Sequence, residues 1–354
     1  MAPPTESVVH FQPRRPGSGP DPLDLRGRPM HDLRISVMDR CNFRCPYCMP
    51  EDKYHKDFQF LPTGERLGFA EIVRLAQLFS GLGVRKLRIT GGEPLLRPGL
   101  ADLVGDLSRI AGIEDVALTT NGILLAQHAA ALKAAGLARV TVSLDSLDEQ
   151  VFLAMSGGRG SVDRVLEGIR EAQVAGLTPI KVNVVVKRGM NDHTALDLVE
   201  RFRGTGVIVR FIEYMDVGTI NHWRPEDTVP SRELLGRIQA RWPATPREPN
   251  YRGEVAERYV FDDGAGEIGF ISSVSEPFCG SCTRARLSSD GQLFTCLFAA
   301  KGTDLKGPLR AGARDAELTE LIRSVWERRE DRYSELRAEL RGEAKHVEMY
   351  YIGG

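Results

Sequence analysis

Six cysteines are the residues of this 354-residue chain best equipped for chemistry, and they fall into two triplets with none left over. Cys41, Cys45 and Cys48 are spaced C-x3-C-x2-C directly after a strand-like run; Cys279 and Cys282 are followed by Cys296. Soft sulfur ligands select zinc, copper(I) or iron–sulfur clusters, and a 4Fe–4S cube needs four corners held. Three thiolates leave one metal position open, which separates a reactive site from a structural one. No histidine lies between Phe278 and Phe298 to complete a zinc ribbon, yet a structural zinc with a distant fourth ligand is an alternative for each triplet. Three disulfides would also use six thiols, but a chain this long has little need of them.

Cations form the second chemical set. Arg34, Lys86, Arg88, Lys181 and Arg210 occupy strand positions, and Arg284 and Arg286 follow the second triplet at i, i+2. A buried cation without a partner is costly, so a group of them facing one cavity makes sense when an anion arrives to meet them. Arginine offers bidentate forks to phosphate oxygens and lysine a point charge, which makes a polyphosphate the natural guest. Any single member could instead pair with a local carboxylate such as Asp145 or Glu213. Gly91 and Gly92, opening Gly-Gly-Glu-Pro after a strand, allow close backbone approach to a ligand, although a tight loop alone would also use them.

These residues need a scaffold, and the hydrophobic pattern supplies one. β-branched runs at 33–39, 86–90, 115–121, 139–145, 180–187 and 208–215 alternate with helical patterns at 69–82, 100–110, 124–135, 162–175 and 196–203. Glycines 83, 112, 136, 176 and 204 stop the helices. That alternation predicts an α/β fold of parallel strands joined by crossover helices, six βα units of an incomplete barrel. Along each strand one parity is apolar, for instance Val182, Val184 and Val186. The other carries Arg34, Ser36, Lys86, Arg88, Thr119, Asn121, Thr141, Ser143, Asp145, Lys181, Asn183 and Arg210. A polar inner face on buried parallel strands implies a cavity filled by water or ligand.

Residues 1–28 are rich in Pro, Gly and charge and read as a mobile leader. The barrel unit is expected over 29–224 and a smaller α+β region over 225–354, with a helix at 232–241, strands at 258–262 and 268–273, and one amphipathic charged helix at 316–340. The 47 Lys and Arg nearly cancel the 48 Asp and Glu, so no global field steers the chain to nucleic acid or a membrane. No apolar run approaches a bilayer span or a signal-peptide core, and a cytoplasmic location is expected.

The stretches 39–50 (DRCNFRCPYCMP), 88–95 (RITGGEPL), 119–122 (TTNG), 142–145 (VSLD), 211–216 (FIEYMD) and 278–288 (FCGSCTRARLS) together resemble the GTP 3′,8-cyclase family, a branch of the radical S-adenosylmethionine enzymes. The resemblance runs from about residue 25 to the terminal Gly353-Gly354, since that family ends in two glycines that reach into the active site. Met38 departs from it where a threonine is more usual.

The resemblance implies a partial (βα)6 TIM-type barrel closed by the C-terminal region. Two 4Fe–4S clusters are implied, one on Cys41, Cys45 and Cys48 and one on Cys279, Cys282 and Cys296, with S-adenosylmethionine held by Tyr47, Gly92, Ser143 and Met215. A 5′-deoxyadenosyl radical would take hydrogen from C3′ of GTP, and the carbon radical would add to C8 of guanine. The product would be (8S)-3′,8-cyclo-7,8-dihydroguanosine 5′-triphosphate, at the first step of molybdenum cofactor biosynthesis. Arg34, Arg88, Thr119, Lys181, Arg284, Ala285 and Arg286 are the implied substrate contacts, with Lys86, Asn121 and Arg210 beside them. Also implied are a flavodoxin- or ferredoxin-type electron donor, a cyclic pyranopterin monophosphate synthase downstream, and a homodimer. Two other readings are a different radical enzyme with an auxiliary cluster, acting for instance on a peptide, and a zinc-bound nucleotide-binding module.

Overall fold

The six β-branched runs form parallel neighbours in one sheet: β1 (Asp32–Ser36), β2 (Lys86–Thr90), β3 (Asp115–Thr120), β4 (Arg139–Ser143), β5 (Lys181–Val186) and β6 (Ile208–Glu213). They belong to a computed structural model that describes residues 21–340 and 346–353. Period-2 alternation sorts each strand's side chains. Leu33 and Ile35 of β1 and Val182 and Val184 of β5 are fully buried, each contributing roughly 1.5–3 kcal/mol. That apolar face offsets the cost of turning Arg34, Lys181 and their register neighbours the other way; Arg34 lies opposite Arg88 on β2, and Asn183 opposite Arg210 on β6.

Helices α1 (Phe69–Gly81), α2 (Leu100–Ser108), α3 (Leu125–Ala134), α4 (Glu149–Ser156), α5 (Val162–Val174) and α6 (Ala195–Phe202) make the crossovers. In α1, Ile72, Leu75, Ala76 and Phe79 recur at helical spacing and are buried, while the Glu71 carboxylate accepts from the Gly68 amide at 2.6 Å and closes the first turn. The five glycines read as stops all have positive φ. Helix α4 is absent from the reading of the sequence; the Asp148 carboxylate starts it by accepting from Val151 N–H at 2.9 Å. Gly168 lies where α5 crosses the loop after β3, and a Cβ there would stand 2.6 Å from the Gly122 carbonyl oxygen.

The C-terminal region extends this same sheet at both edges. After α7 (Ser231–Gln239) come β7 (Ala244–Arg247), β8 (Glu257–Phe261), β9 (Glu267–Ile271), β10 (Arg284–Leu287), β11 (Gln292–Phe294) and β12 (Thr303–Asp304). β9 pairs parallel with β6 and β10 parallel with β1, giving the order 12-11-10-1-2-3-4-5-6-9-8-7. The outermost strands are not hydrogen-bonded to one another. Short α8 (Lys306–Arg310) then leads to α9 (Asp315–Glu327), α10 (Tyr333–Leu340) and α11 (Met349–Ile352).

Three expectations need correction. The single helix at 316–340 is two helices, α9 and α10, because Arg329 between them turns inward and its side chain is buried. Residues 21–28, expected within the leader, pack on the body, with a bridge between Leu23 and Pro29 and with Asp24 and Arg28 buried; residues 1–20 of that expectation lie outside the described residues. Met215 does not end the sixth strand, which stops at Glu213. Among the described residues no helix is long and apolar enough to cross a membrane.

Candidate active site

The loop after β1 carries the first cysteine triplet. Arg44 braces it from inside, donating to the carbonyl oxygens of Tyr54 at 2.7 Å and of Cys41 and Phe43 at 2.8 Å. The Gly-Gly-Glu-Pro loop after β2 lies directly on this segment. Gly92 N–H donates to the Met38 carbonyl at 2.6 Å and Glu93 N–H to the Arg40 carbonyl at 2.8 Å. A Cβ at Gly92 would stand 2.3 Å from the Arg40 oxygen, so only glycine permits the approach. Glu93 is buried and accepts from Leu95 N–H, Asn121 N–H and the Thr120 hydroxyl at 2.7–3.0 Å; burial pushes its carboxyl up to about 7.

All six cysteines are free thiols and half-buried. Among the described residues no three His, Cys, Asp or Glu side chains converge on a point suited to a single metal ion. The first triplet offers sulfur alone, with Phe43 N–H 3.4 Å and the Asn121 amide 3.9 Å from the Cys41 sulfur. Donors aimed at thiolates are the means by which a protein holds and tunes an iron–sulfur cluster, and this donor set fits one.

The cations meet in a cavity lined by Arg34, Lys86, Arg88, Arg210, Arg284 and Arg286, with Thr119, Thr141 and Asn183 between them. Tyr47 and Met215 stand at one part of the wall, Cys279, Cys282 and Cys296 at another. The carboxylates proposed as local partners are engaged elsewhere. Asp145 accepts from Tyr47 Oη at 2.7 Å and Val185 N–H at 2.8 Å; Glu213 accepts from the amides of Ser231, Val274 and Ser275, each at 2.8 Å. Lys86 lies 3.9 Å from Asp32 and 3.7 Å from the Tyr251 ring centre, and Arg210 is 3.5 Å from Glu254. Arg88 donates to the hydroxyls of Thr119 and Thr141 at 3.2 and 3.1 Å.

Arg34 and Lys181 make no hydrogen bond or ion pair with any described residue, and Nη1 of Arg284 is buried without a hydrogen-bond partner among them. Burial, then the neighbouring Arg286, Arg88 and Arg284, hold the Arg34 guanidinium well below its ordinary range. Burial, then Arg210, Arg139 and Arg88, bring the Lys181 ammonium down to about 6. This is an electrostatic deficit that an anion would relieve.

Several named residues stand outside the cavity lining: Lys181, Asn121, Ser143, Gly92 and Ala285. Ala285 alternates with the two arginines on β10, so its side chain is fully buried in the core. The Asn121 side chain is turned to the first cysteine loop, donating to the Asn42 side-chain oxygen at 2.7 Å. From the other end of the chain, the Gly353 carbonyl accepts from Arg286, which places the tail at the cavity; Gly354 lies outside the described residues.

Sequence reasoning missed Tyr251, Glu254 and the buried Asp24, Arg28 and Arg329 around the second triplet. The cation–aromatic pair of Lys86 and Tyr251 spans 165 positions, and no local pattern signals it. Glu93 was visible only as a letter in the glycine motif.

Comparison with known proteins supplies the frame for this geometry. The Radical SAM superfamily model matches residues 35–202 and the Molybdenum Cofactor Synthesis C model residues 207–335. A GTP 3′,8-cyclase of Xanthomonas campestris pv. campestris (strain B100) is 54% identical over 331 residues, covering 94% of this chain and 97% of that protein. That of Acidothermus cellulolyticus is 49% identical over 356 residues, covering 94% and 98%. Among solved structures, Streptococcus suis SuiB shares the fold with a TM-score of 0.55 at 14% identity, covering 88% of this chain and 69% of that one. Radical S-adenosylmethionine proteins use one 4Fe–4S cluster with S-adenosylmethionine, in keeping with the sulfur-only donor set of Cys41, Cys45 and Cys48. On these grounds the chain belongs to the GTP 3′,8-cyclase family of the radical S-adenosylmethionine superfamily.

Proposed function

We propose that this chain converts GTP into (8S)-3′,8-cyclo-7,8-dihydroguanosine 5′-triphosphate, the first step of molybdenum cofactor biosynthesis. The observation that carries the reading is the set of cations lining one cavity, among them Arg34, with no hydrogen bond or ion pair to a described residue, and Arg284, whose Nη1 is buried without a partner; the second cysteine triplet meets the same cavity. A triphosphate satisfies such a set; a neutral substrate would leave it uncompensated.

Cys41, Cys45 and Cys48 hold the cluster, and Tyr47, Gly92, Ser143 and Met215 hold S-adenosylmethionine beside it. Bound there, the two supply the one-electron chemistry that starts the reaction. Arg34, Arg88, Thr119, Lys181, Arg284 and Arg286 take the triphosphate and ribose, Lys86, Asn121 and Arg210 are further substrate contacts, and Ala285 shapes the strand between its arginines. Cys279, Cys282 and Cys296 would hold a second 4Fe–4S cluster, which would offer an open iron position to the substrate. The work of the chain is to fix distance and orientation. Its tail packs beside the cavity, with Met349 in the lining, Ile352 fully buried and Gly353 bonded to Arg286.

The family resemblance extends the proposal to a barrel unit over 29–224 and a C-terminal unit over 225–354. It extends further to a flavodoxin- or ferredoxin-type electron donor, a cyclic pyranopterin monophosphate synthase that takes the product, a homodimer and a cytoplasmic location. GTP deuterated at C3′ tests the reaction: deuterium should appear in 5′-deoxyadenosine. Deoxyadenosine formed with GTP but free of deuterium would contradict hydrogen removal at that carbon.

A further inference from the structure

Two buried arginines sharing one carboxylate bond to the second cysteine triplet at Cys279 and Cys282 and to Thr295, the residue before Cys296. Asp24 lies at the centre, 2.6 Å from Arg28 Nε and 3.0 Å from Arg329 Nη1. Arg28 Nη1 donates to the Cys279 carbonyl at 2.7 Å and the Asp331 carbonyl at 2.9 Å. Arg329 does more. Its Nη1 donates to the Cys282 carbonyl at 2.8 Å, its Nη2 to the Cys282 sulfur at 3.1 Å, and its Nε to the carbonyl of Thr295, the residue before Cys296, at 3.1 Å. The guanidinium also lies over the Trp326 ring, 4.5 Å from its centre, and its side chain is 1% exposed.

Two guanidinium ions face two carboxylates, the fully buried Asp24 and Asp331, which lies 3.4 Å from Arg329 Nε with its side chain a third exposed. The carboxylates balance the two arginines, yet the Arg329 Nη2 proton is directed at sulfur. Hydrogen bonds to ligand sulfur and nearby net charge are two of the quantities that set the potential of an iron–sulfur centre.

We propose that Arg329 is a positioning residue of the second cluster: it ties the Cys282 and Cys296 corners together and, through its charged N–H···S bond, raises the potential at which that cluster is reduced. This rests on the second-cluster reading above. Asp24 and Arg28, far away at the start of the described chain, orient Arg329 and tie in the Cys279 corner.

The test uses the full chain with Cys41, Cys45 and Cys48 changed to Ala, reconstituted anaerobically with iron and sulfide so that only the second triplet can load. Iron per chain, the paramagnetic resonance spectrum of the reduced cluster and its midpoint potential are measured for Arg329, Arg329→Lys and Arg329→Met. Arg329→Met should load less iron, or load it with an altered spectrum and a lower midpoint. Arg329→Lys keeps a charge but cannot bridge Cys282 and Thr295 together, and its midpoint should fall between the two. Should Arg329→Met fail to fold, the lysine variant decides: a lowered midpoint supports the proposal, and native iron, spectrum and midpoint overturn it. Native behaviour of a folded Arg329→Met protein also overturns it. If the chain with Arg329 intact takes up no iron, the second-cluster reading itself fails and this proposal falls with it.

Discussion

The Arg286 guanidinium donates a hydrogen bond to the carbonyl oxygen of Gly353, so a cation on β10 that faces the cavity is engaged by the chain's own tail. The tail can hold that position only as glycine. Gly353 has φ +71°, and a Cβ there would stand 2.1 Å from Thr90 Cγ2.

Gly353→Ala should therefore push the tail away from Thr90, the last residue of β2. Turnover is expected to fall by up to ~10²-fold, the scale of a 1 Å misplacement in an active site. The thermal midpoint should fall by no more than about 4 °C, because only the docking of the short α11 is disturbed. Steady-state kinetics and a circular-dichroism melt measure the two effects, and unchanged turnover would remove the tail from the site.

Arg34→Met should separate binding from folding. The half-buried guanidinium has no hydrogen bond or ion pair with a described residue and stands among other cations, so its removal should raise the melting temperature of the ligand-free protein. Loss of a charge-assisted hydrogen bond to phosphate, worth about 1.5–3 kcal/mol, should raise Kd for GTP roughly 10- to 150-fold. A destabilised variant with unaltered GTP affinity would contradict this.

Lys181 gives the pH dependence. Its folded-state pKa is brought down to about 6 by burial and by Arg210, Arg139 and Arg88, against an ordinary 10.5. Between those values the unfolded chain binds the extra proton, so the stability of the ligand-free protein should rise with pH across the window. A bound triphosphate favours the charged amine and raises its pKa, so binding takes up a proton above about pH 6 and GTP affinity should fall as pH rises further. Calorimetric titration at pH 7.5 in two buffers of different ionisation enthalpy measures that proton, and Lys181→Met should abolish it. Absence of proton uptake in the parent would exclude the assignment.

The cation-lined wall was legible because strand geometry leaves no freedom: side chains alternate, so apolar residues at Val182 and Val184 dictate that Lys181 and Asn183 face the other way. The same rule sends Ala285 into the core between Arg284 and Arg286, a placement that reading the motif as a block obscured. What stayed hidden depends on topology. Arg28 reaches the Cys279 carbonyl across 251 positions and Arg329 the Cys282 sulfur across 47, and no periodicity encodes either meeting. The break between α9 and α10 was hidden for a related reason. Arg329 continues the charged pattern of a solvated helix, yet its side chain is buried. Likewise Gly92 suggested an approach to ligand, whereas the backbone it must clear is that of Arg40.

The central claim is that two sulfur trios and a cationic cavity serve one cyclisation of GTP. The most direct test incubates anaerobically reconstituted protein with reductant, S-adenosylmethionine and GTP, and follows 5′-deoxyadenosine and nucleotide products by mass spectrometry. The account predicts GTP-dependent 5′-deoxyadenosine together with a cyclised nucleotide of the same mass as GTP, both absent with Cys48→Ala. Deoxyadenosine no higher than in that variant, or formed without any new isomer of GTP, would contradict it.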